Sequence, residues 1–522
     1  MPFQTWTFAV FFLIFYAVYL AVTKTRLRVP WLLLASYVFY GWLNPLYLLL
    51  LLWLTGVDYV VVVGMASQAS LRAARRRFFG GIYNPLYWPL VICSLLVGLL
   101  AALRLVNAGS KRPWLVLSLL NGLGMLAFFK YRYFFVENLN WLLAQLGTGF
   151  ALFPPDLTCV TDGVNSLLAW VGTSYTVGSL NLWPIGISFY VFRSLTYSID
   201  SARDGFKEEP SFLNYATFVA LFPAILMGPI DRARDLLPQL RRTPAITRGD
   251  VADGLSLFVV GLFKKVALAD YLKIYVDQIY AAPQDFHAPA LILASVAFAW
   301  QIYFDFSGYT DMARGIGRLL GVRLMLNFNN PYLATGLGDF WRRWHISMST
   351  WFRDYVYIPL GGNRKGELRT YVNMAATMLV SGLWHGAQWT FVIWGAIHAF
   401  GYALTRQLER SPFYKQRIPR LVKQLLTFSV VTLAWVFFRA DSFSHAWLIL
   451  RRIFTSGWAD PRFPLLMLAL IVAVWLYQIA YESRMRRVLA CAPLNVALVV
   501  SMVAYLVIFG GTGTQEFIYQ QF

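Results

Sequence analysis

Two histidines carry the chemistry this chain can offer. His345 lies in FWRRWHISMSTWFRDYVYIPLGGNR, residues 340–364, and His385 lies in LVSGLWHGAQW, residues 379–389. Each follows a tryptophan, Trp344 and Trp384. A neutral imidazole can accept a proton from an alcohol, which is what general-base catalysis requires near neutral pH. His385 is apolar on both sides, and burial disfavours an imidazolium, so a neutral ring is expected there. Gly382 and Gly386 stand four apart around it, a small-residue spacing that lets two helix backbones approach closely. The plainer alternative for His385 is a packed histidine hydrogen-bonded to a neighbouring helix.

The elements that would position these groups follow from periodicity. At about 100° per residue, a helix over Phe340–Tyr355 gathers Trp341, Trp344, Met348, Trp351, Phe352 and Tyr355 into one apolar stripe. Arg342, Ser349 and Arg353 fall opposite, and His345 sits at the border. Such a helix lies at an interface, and an interfacial anchor with an incidental histidine is the competing account of His345. His398 lies about 220° around from His385 if one helix carries both; it is read as structural, as are His287 and His445. The nucleophile elbow, the H-E-x-x-H zinc pair and the P-loop are absent, and no histidine is followed five residues later by aspartate. Direct transfer assisted by a histidine base is the economical mechanism that remains. No metal ligand set is expected.

The surroundings are a membrane. Of 522 residues 58% are hydrophobic and 13% charged, against about 25% charged in soluble domains, and the mean hydropathy is +0.54. Apolar runs near the ~20 residues a spanning helix needs cover 5–23, 87–105, 115–135, 465–481 and 494–510. Residues 31–65 suit two helices broken near Asn44-Pro45. The runs do not alternate as barrel strands do, so an all-α polytopic membrane protein is expected. The net charge of +20 would suggest nucleic acid in a soluble chain. Here the basic residues cluster at span ends, as at Lys24/Arg26/Arg28, Arg75–Arg77 and Arg484/Arg486/Arg487, and read as positive-inside anchors and contacts to lipid headgroups. Cys93, Cys159 and Cys491 share no spacing, which argues against a disulfide framework or a cysteine metal site.

Along the chain no internal repeat is evident, and one domain of packed helices is the simplest organisation. It divides into peripheral N-terminal helices (1–146), a less cleanly hydrophobic core (183–400) and C-terminal helices (421–522). Residues 147–182, rich in Gly, Ser and Pro, read as a long loop. Among the charges of the middle region, Lys264 and Lys265 are expected to snorkel to an interface. Asp311 and Arg314, three apart, are expected to pair on one helix.

Taken together, the motifs resemble the membrane-bound O-acyltransferase family, in its bacterial branch exemplified by alginate O-acetylation. The stretches that carry the resemblance are LLLASYVFYGW (32–42), WPIGISFYVFRSLTYSID (183–200), LFPAILMGPIDRARDLLPQL (221–240), GLFKKVALAD (261–270), YFDFSGYTDMARGIGRLLG (303–321), DFWRRWHISMSTWFRDYVYIPLGGNR (339–364), SGLWHGAQWTFVIWGAIHA (381–399) and EFIYQQF (516–522). The chain departs from the family pattern at Arg193 and Asp231 and in the length of 147–182.

The resemblance implies roughly ten to thirteen transmembrane helices, with re-entrant or interfacial ones, around a central tunnel. It maps the family's main histidine onto His385 and the second histidine of the bacterial branch onto His345. It further implies acetyl-CoA as acyl donor, with no bound cofactor, and a bacterial cytoplasmic-membrane location. The acetyl group would pass across the membrane to an exported polysaccharide through an extracytoplasmic acetyltransferase of the SGNH type. Trp384 and Trp344 are the candidate substrate neighbours. Arg364 and Lys365, in the basic turn after Gly361-Gly362, are the candidate partners of CoA phosphates. Three rivals stand beside this reading. One is D-alanyl transfer from a carrier protein. The second is an acyltransferase acting on a lipid or a protein. The third, from a different class, is a non-catalytic transporter, which would favour two related halves with broken helices.

Overall fold

Helix N-caps, glycine seams and buried ion pairs set the architecture of this computed structural model. It describes residues 1–42, 44–65, 111–156, 158–177, 184–203, 211–489, 491–509 and 517–518. Among them all regular structure is helical, as the sequence pattern requires. Among the described residues five helices are long and apolar enough to cross a membrane: Pro45–Met65, Lys111–Gln145, Ala288–Leu319, Arg420–Arg439 and Ala492–Phe509. Trp6–Val22 and Leu465–Tyr481 are shorter and apolar. The expected span at 87–105 lies outside the described residues.

The chain forms two units, residues 1–247 with 317–324, and residues 248–316 with 325–522. In the first, α1 (Trp6–Val22), α2 (Arg28–Gly41) and α3 (Pro45–Met65) follow one another. The break between α2 and α3 falls at the expected Asn44-Pro45, where Asn44 Oδ1 accepts the Leu46 N–H at 3.0 Å. Tyr16 and Tyr19 hydroxyls donate to the carbonyls of Leu319 (3.2 Å) and Leu320 (2.8 Å), which ties 317–324 into this unit. Val57, Val61 and Met65 of α3 pack on Trp114 of α4, which runs Lys111–Leu126 and continues through a π-helical turn, Ala127–Tyr131, to Gln145. Lys130 and Arg132, expected near the end of a span, are buried inside this longer helix.

Two corrections arise here. Residues 147–182 are not one loop: helix α5, Thr158–Trp170, forms within them. Nor is the chain free of repeats. Asn140, Leu142-Leu143-Ala144 and Gly147-Thr148 recur 25 residues later as Asn165, Leu167-Leu168-Ala169 and Gly172-Thr173. In each copy a helix ends at a left-handed glycine, Gly147 (φ +66°) or Gly172 (φ +85°), the conformation glycine adopts without strain. In each copy the asparagine side chain then receives the returning strand. Asn140 Oδ1 accepts from Leu152 N at 2.8 Å and its amide donates back to the Leu152 carbonyl at 2.9 Å. Asn165 does the same with Val177, at 2.8 and 3.3 Å. The Gly, Ser and Pro content masked a duplicated helix-and-return motif.

Helices α6 (Ile187–Ala202), α7 (Phe212–Ala220) and α8 (Ala233–Arg241) complete the first unit. Arg193 of α6 is fully buried. Its guanidinium donates to the carbonyls of Phe218 (3.3 Å), Val219 (3.2 Å), Ala224 (3.0 Å) and Pro229 (3.0 Å). The end of α7 leaves its last carbonyls without helical partners, the Ala224 carbonyl also accepts from Gly228 N–H at 3.2 Å, and arginine's forked donors suit several acceptors at once. Asp58 of α3 is also buried and accepts from Ser118 (2.8 Å) and Ser194, whose hydroxyl meets that of Tyr215 at 2.6 Å.

The second unit opens with α9 (Arg248–Phe263), a π-helical turn at Lys264–Ala269, and α10 (Asp270–Ala281). It then builds on α11 (Ala288–Leu319), which crosses α9 along a glycine seam. A Cβ on Gly261 would fall 2.4 Å from the Gly308 carbonyl, and one on Gly315 2.5 Å from that of Gly254. The lysines of the π-turn do not snorkel. Lys265 is 1% exposed and pairs with Asp305 (2.7 Å) and Asp270 (2.9 Å), while Lys264 pairs with Asp311 (2.7 Å). Asp305 and Asp311 on the facing helix, with Asp270 just beyond the turn, pair these charges in place. Asp311 also meets Arg314 at 3.3 Å, as expected. Near the chain's end, Ile518 N–H donates to the other oxygen of Asp305 at 2.7 Å, and the Phe517 ring sits 4.4 Å from the Lys265 ammonium.

Candidate active site

His345 owes its place to a broken helix. The expected single helix over 340–355 is divided into α12 (Leu337–Arg343), α13 (Ile346–Phe352) and a π-helical turn, Arg353–Tyr357. Trp344 is extended and His345 takes the left-handed conformation, φ +41° and ψ +55°. A non-glycine residue in that region stores strain, which persists only where neighbours enforce it. Periodicity misses this because the apolar stripe continues on both sides of the break. His345 is fully buried, not at an interfacial border. Its ring packs edge-on to Phe306 at 4.6 Å and 6.0 Å from Trp384.

His385 ends helix α14 (Glu367–His385), and α15 (Trp389–Leu408) turns back against it. The expected close approach is present. A Cβ on Gly382 would lie 2.2 Å from the Phe391 carbonyl oxygen, and one on Gly386 2.0 Å from the Phe391 ring. A Cβ on Gly395 of α15 would lie 2.5 Å from the Met378 carbonyl oxygen. The turn at Gly386–Gln388 places His385 and His398 on separate helices, so the angle expected for one continuous helix does not apply. His385 is 3% exposed. Aromatic rings surround it: Trp384 at 4.9 Å, Trp394 at 4.9 Å and Phe438 at 5.2 Å.

Both histidines therefore pack on the Trp384 indole. Trp344 packs instead with Phe328 (5.0 Å), Trp435 (5.1 Å) and Phe340 (5.6 Å). Its link to His385 runs through Trp435, which packs 5.1 Å from Phe438. His398, passed over as structural, joins the same array, 4.7 Å from Trp394 and 5.0 Å from Trp341. Arg364 and Lys365 are exposed in a turn fixed by Asn373, whose amide donates to the Gly362 carbonyl at 3.0 Å. Tyr357 donates to Asn363 in the same turn. Among the described residues no three His, Cys, Asp or Glu side chains converge as a metal site would require. What the arrangement offers is two imidazoles in an aromatic, water-poor enclosure, suited to moving a proton during group transfer.

Comparison with known proteins places this geometry. The sequence model of the membrane-bound O-acyltransferase family matches residues 83–439, which include both histidines. A probable alginate O-acetylase of Pseudomonas aeruginosa is 36% identical over 452 residues, 86% of this chain and 74% of that protein. A peptidoglycan O-acetyltransferase of Helicobacter pylori is 33% identical over 404 residues, 72% of this chain and 71% of its own. A teichoic acid D-alanyltransferase of Bacillus subtilis is 28% identical over 280 residues, 50% of this chain and 70% of its own. With apolar helices of spanning length and a family match over most of its length, the chain belongs to the membrane-bound O-acyltransferase family and is a multi-pass membrane O-acyltransferase.

Proposed function

We propose that this enzyme takes an acetyl group from cytoplasmic acetyl-CoA and passes it across the bacterial inner membrane for O-acetylation of an exported polysaccharide. The observation that carries the reading is the pair of buried imidazoles, His345 and His385, gathered around Trp384 in one unit. His385 takes the proton of the attacking hydroxyl as the thioester carbonyl is attacked. The C–S bond then breaks, the acetyl group stays on the acceptor oxygen as an ester, and the imidazolium returns its proton to the sulfur, so that CoA leaves as the thiol. His345 holds or relays a proton beside it. Each such role is worth ~10² to 10⁴ in rate. The aromatic walls exclude water, which suppresses hydrolysis of the thioester. Arg364 and Lys365 meet the CoA phosphates. The acceptor side is completed by a separate extracytoplasmic acetyltransferase of the SGNH type.

The test is transfer from labelled acetyl-CoA in membranes carrying the wild-type chain, His385→Ala or His345→Ala at matched levels, with and without the periplasmic fraction. Label should reach periplasmic glycan or protein only when His385 is intact. Equal transfer by all three chains would overturn the reading. The teichoic acid relative supports a second one, D-alanyl transfer from a carrier protein. Labelled D-alanine on a phosphopantetheine carrier, reaching polymer where acetyl-CoA does not, would establish it.

A further inference from the structure

His345 is a poor helix cap. The first N–H groups of α13 need acceptors, and the residue that stands before them carries an imidazole in place of the Ser, Thr, Asp or Asn that normally serves. His345 makes no capping side-chain bond to the helix that follows it. The acceptors come from elsewhere. The Asn327 backbone carbonyl accepts from Ile346 N–H at 2.9 Å, and Asn327 Oδ1 accepts from Ser347 N–H at 3.2 Å. Two residues on, Asn329 N–H donates to the Arg343 carbonyl at 2.9 Å. Residues 327–329, in the extended segment after α11, thus brace both sides of the break at Trp344-His345. Asn327 is fully buried. Among the described residues its Nδ2 has no acceptor, so Oδ1 is the side-chain atom seen in use.

We propose that Asn327 is the positioning residue of the transfer site. It caps α13 from outside, leaving the cap position open to a histidine, and it holds that histidine in the left-handed conformation that aims its ring at Phe306 and Trp384. The proposal rests on the reading that His345 acts in the transfer. Misplacement of a reacting group by 1 Å costs about 100-fold, so Asn327→Ala lowers kcat by about 10- to 100-fold with little change in KM for acetyl-CoA. Asn327→Asp keeps the accepting atom and restores most of the rate.

The experiment is a pair of double-mutant cycles on the full-length chain. In the first, acetyl transfer is measured for Asn327→Ala, His345→Ala and both together. Asn327 working through His345 predicts that the double variant is no slower than His345→Ala alone, whereas losses that multiply would overturn the proposal. In the second, melting in detergent is measured with His345→Gly, because glycine adopts the left-handed conformation without strain. The fall in melting temperature caused by Asn327→Ala should shrink in the glycine background, and an undiminished fall would refute the brace. Should His345→Ala transfer acetyl at the wild-type rate, the role given to His345 fails, and the melting cycle still decides whether Asn327 sets its conformation.

Discussion

Gly382→Ala is the sharpest perturbation of the histidine hairpin. In an exposed helix the change should stabilise by about 1 kcal/mol, the propensity difference between the two residues. At 382 the added methyl would stand 2.2 Å from the Phe391 carbonyl oxygen, a backbone atom with no rotamer to escape into. Restoring a contact of about 3.5 Å requires α14 and α15 to part by roughly 1.3 Å. Overpacking of this kind costs about 1 to 3 kcal/mol, enough to cancel or reverse the propensity gain. The larger effect falls on activity. His385 is three residues beyond Gly382 on α14, and the rings of Trp394 and Phe438 that wall it belong to α15 and to helix α16, Arg420–Arg439. A shift of this size predicts a loss of about 100-fold in acetyl transfer. Gly124→Ala on α4, whose added methyl meets no atom of the described residues within 4 Å, is the matched control and should melt higher with full activity. Melting in detergent and label transfer from acetyl-CoA would be measured for both. If Gly382→Ala melts above wild type and transfers normally, the close approach does not position His385.

Three further outcomes follow from the buried polar groups and the basic turn. Arg193→Met, which takes a donor from each of four carbonyls, should destabilise the protein by at least 3 kcal/mol, read as lower yield and melting temperature. Asp305→Ala removes the acceptor of Ile518 N–H; a hydrogen bond to a charged group is worth about 1.5–3 kcal/mol, so a carboxy-terminal tag should become markedly easier to proteolyse. Replacing Arg364 and Lys365 together with Ala should raise KM for acetyl-CoA about tenfold and flatten its salt dependence, with kcat little changed; an unchanged KM would remove the turn from the donor site.

The parts of the site written in local pattern were legible and those made by distant segments were not. His385 stood out because its glycines and apolar flanks lie within five residues of it. The division of Phe340–Tyr355 did not, because Trp341, Trp344, Met348 and Trp351 keep helical spacing across the break, and the atoms that enforce it belong to Asn327. Lys265 looked like a snorkelling residue because Asp305 is forty positions away, on a helix whose facing side is known only after packing. The glycine seam of Gly254, Gly261, Gly308 and Gly315 escaped for the same reason. The duplication at Asn140 and Asn165 was within reach of a self-comparison at an offset of 25 residues and was hidden by composition.

Arg193 also sets an order on folding. Its charge is made with α6, yet the carbonyls that satisfy it lie 25 to 36 residues further along the chain. At synthesis rates of about 5–20 residues per second, the acceptors follow roughly 1 to 7 seconds later. A buried arginine without acceptors is costly, so α6 takes its final place only together with the segment ending at Pro229, as one cooperative unit.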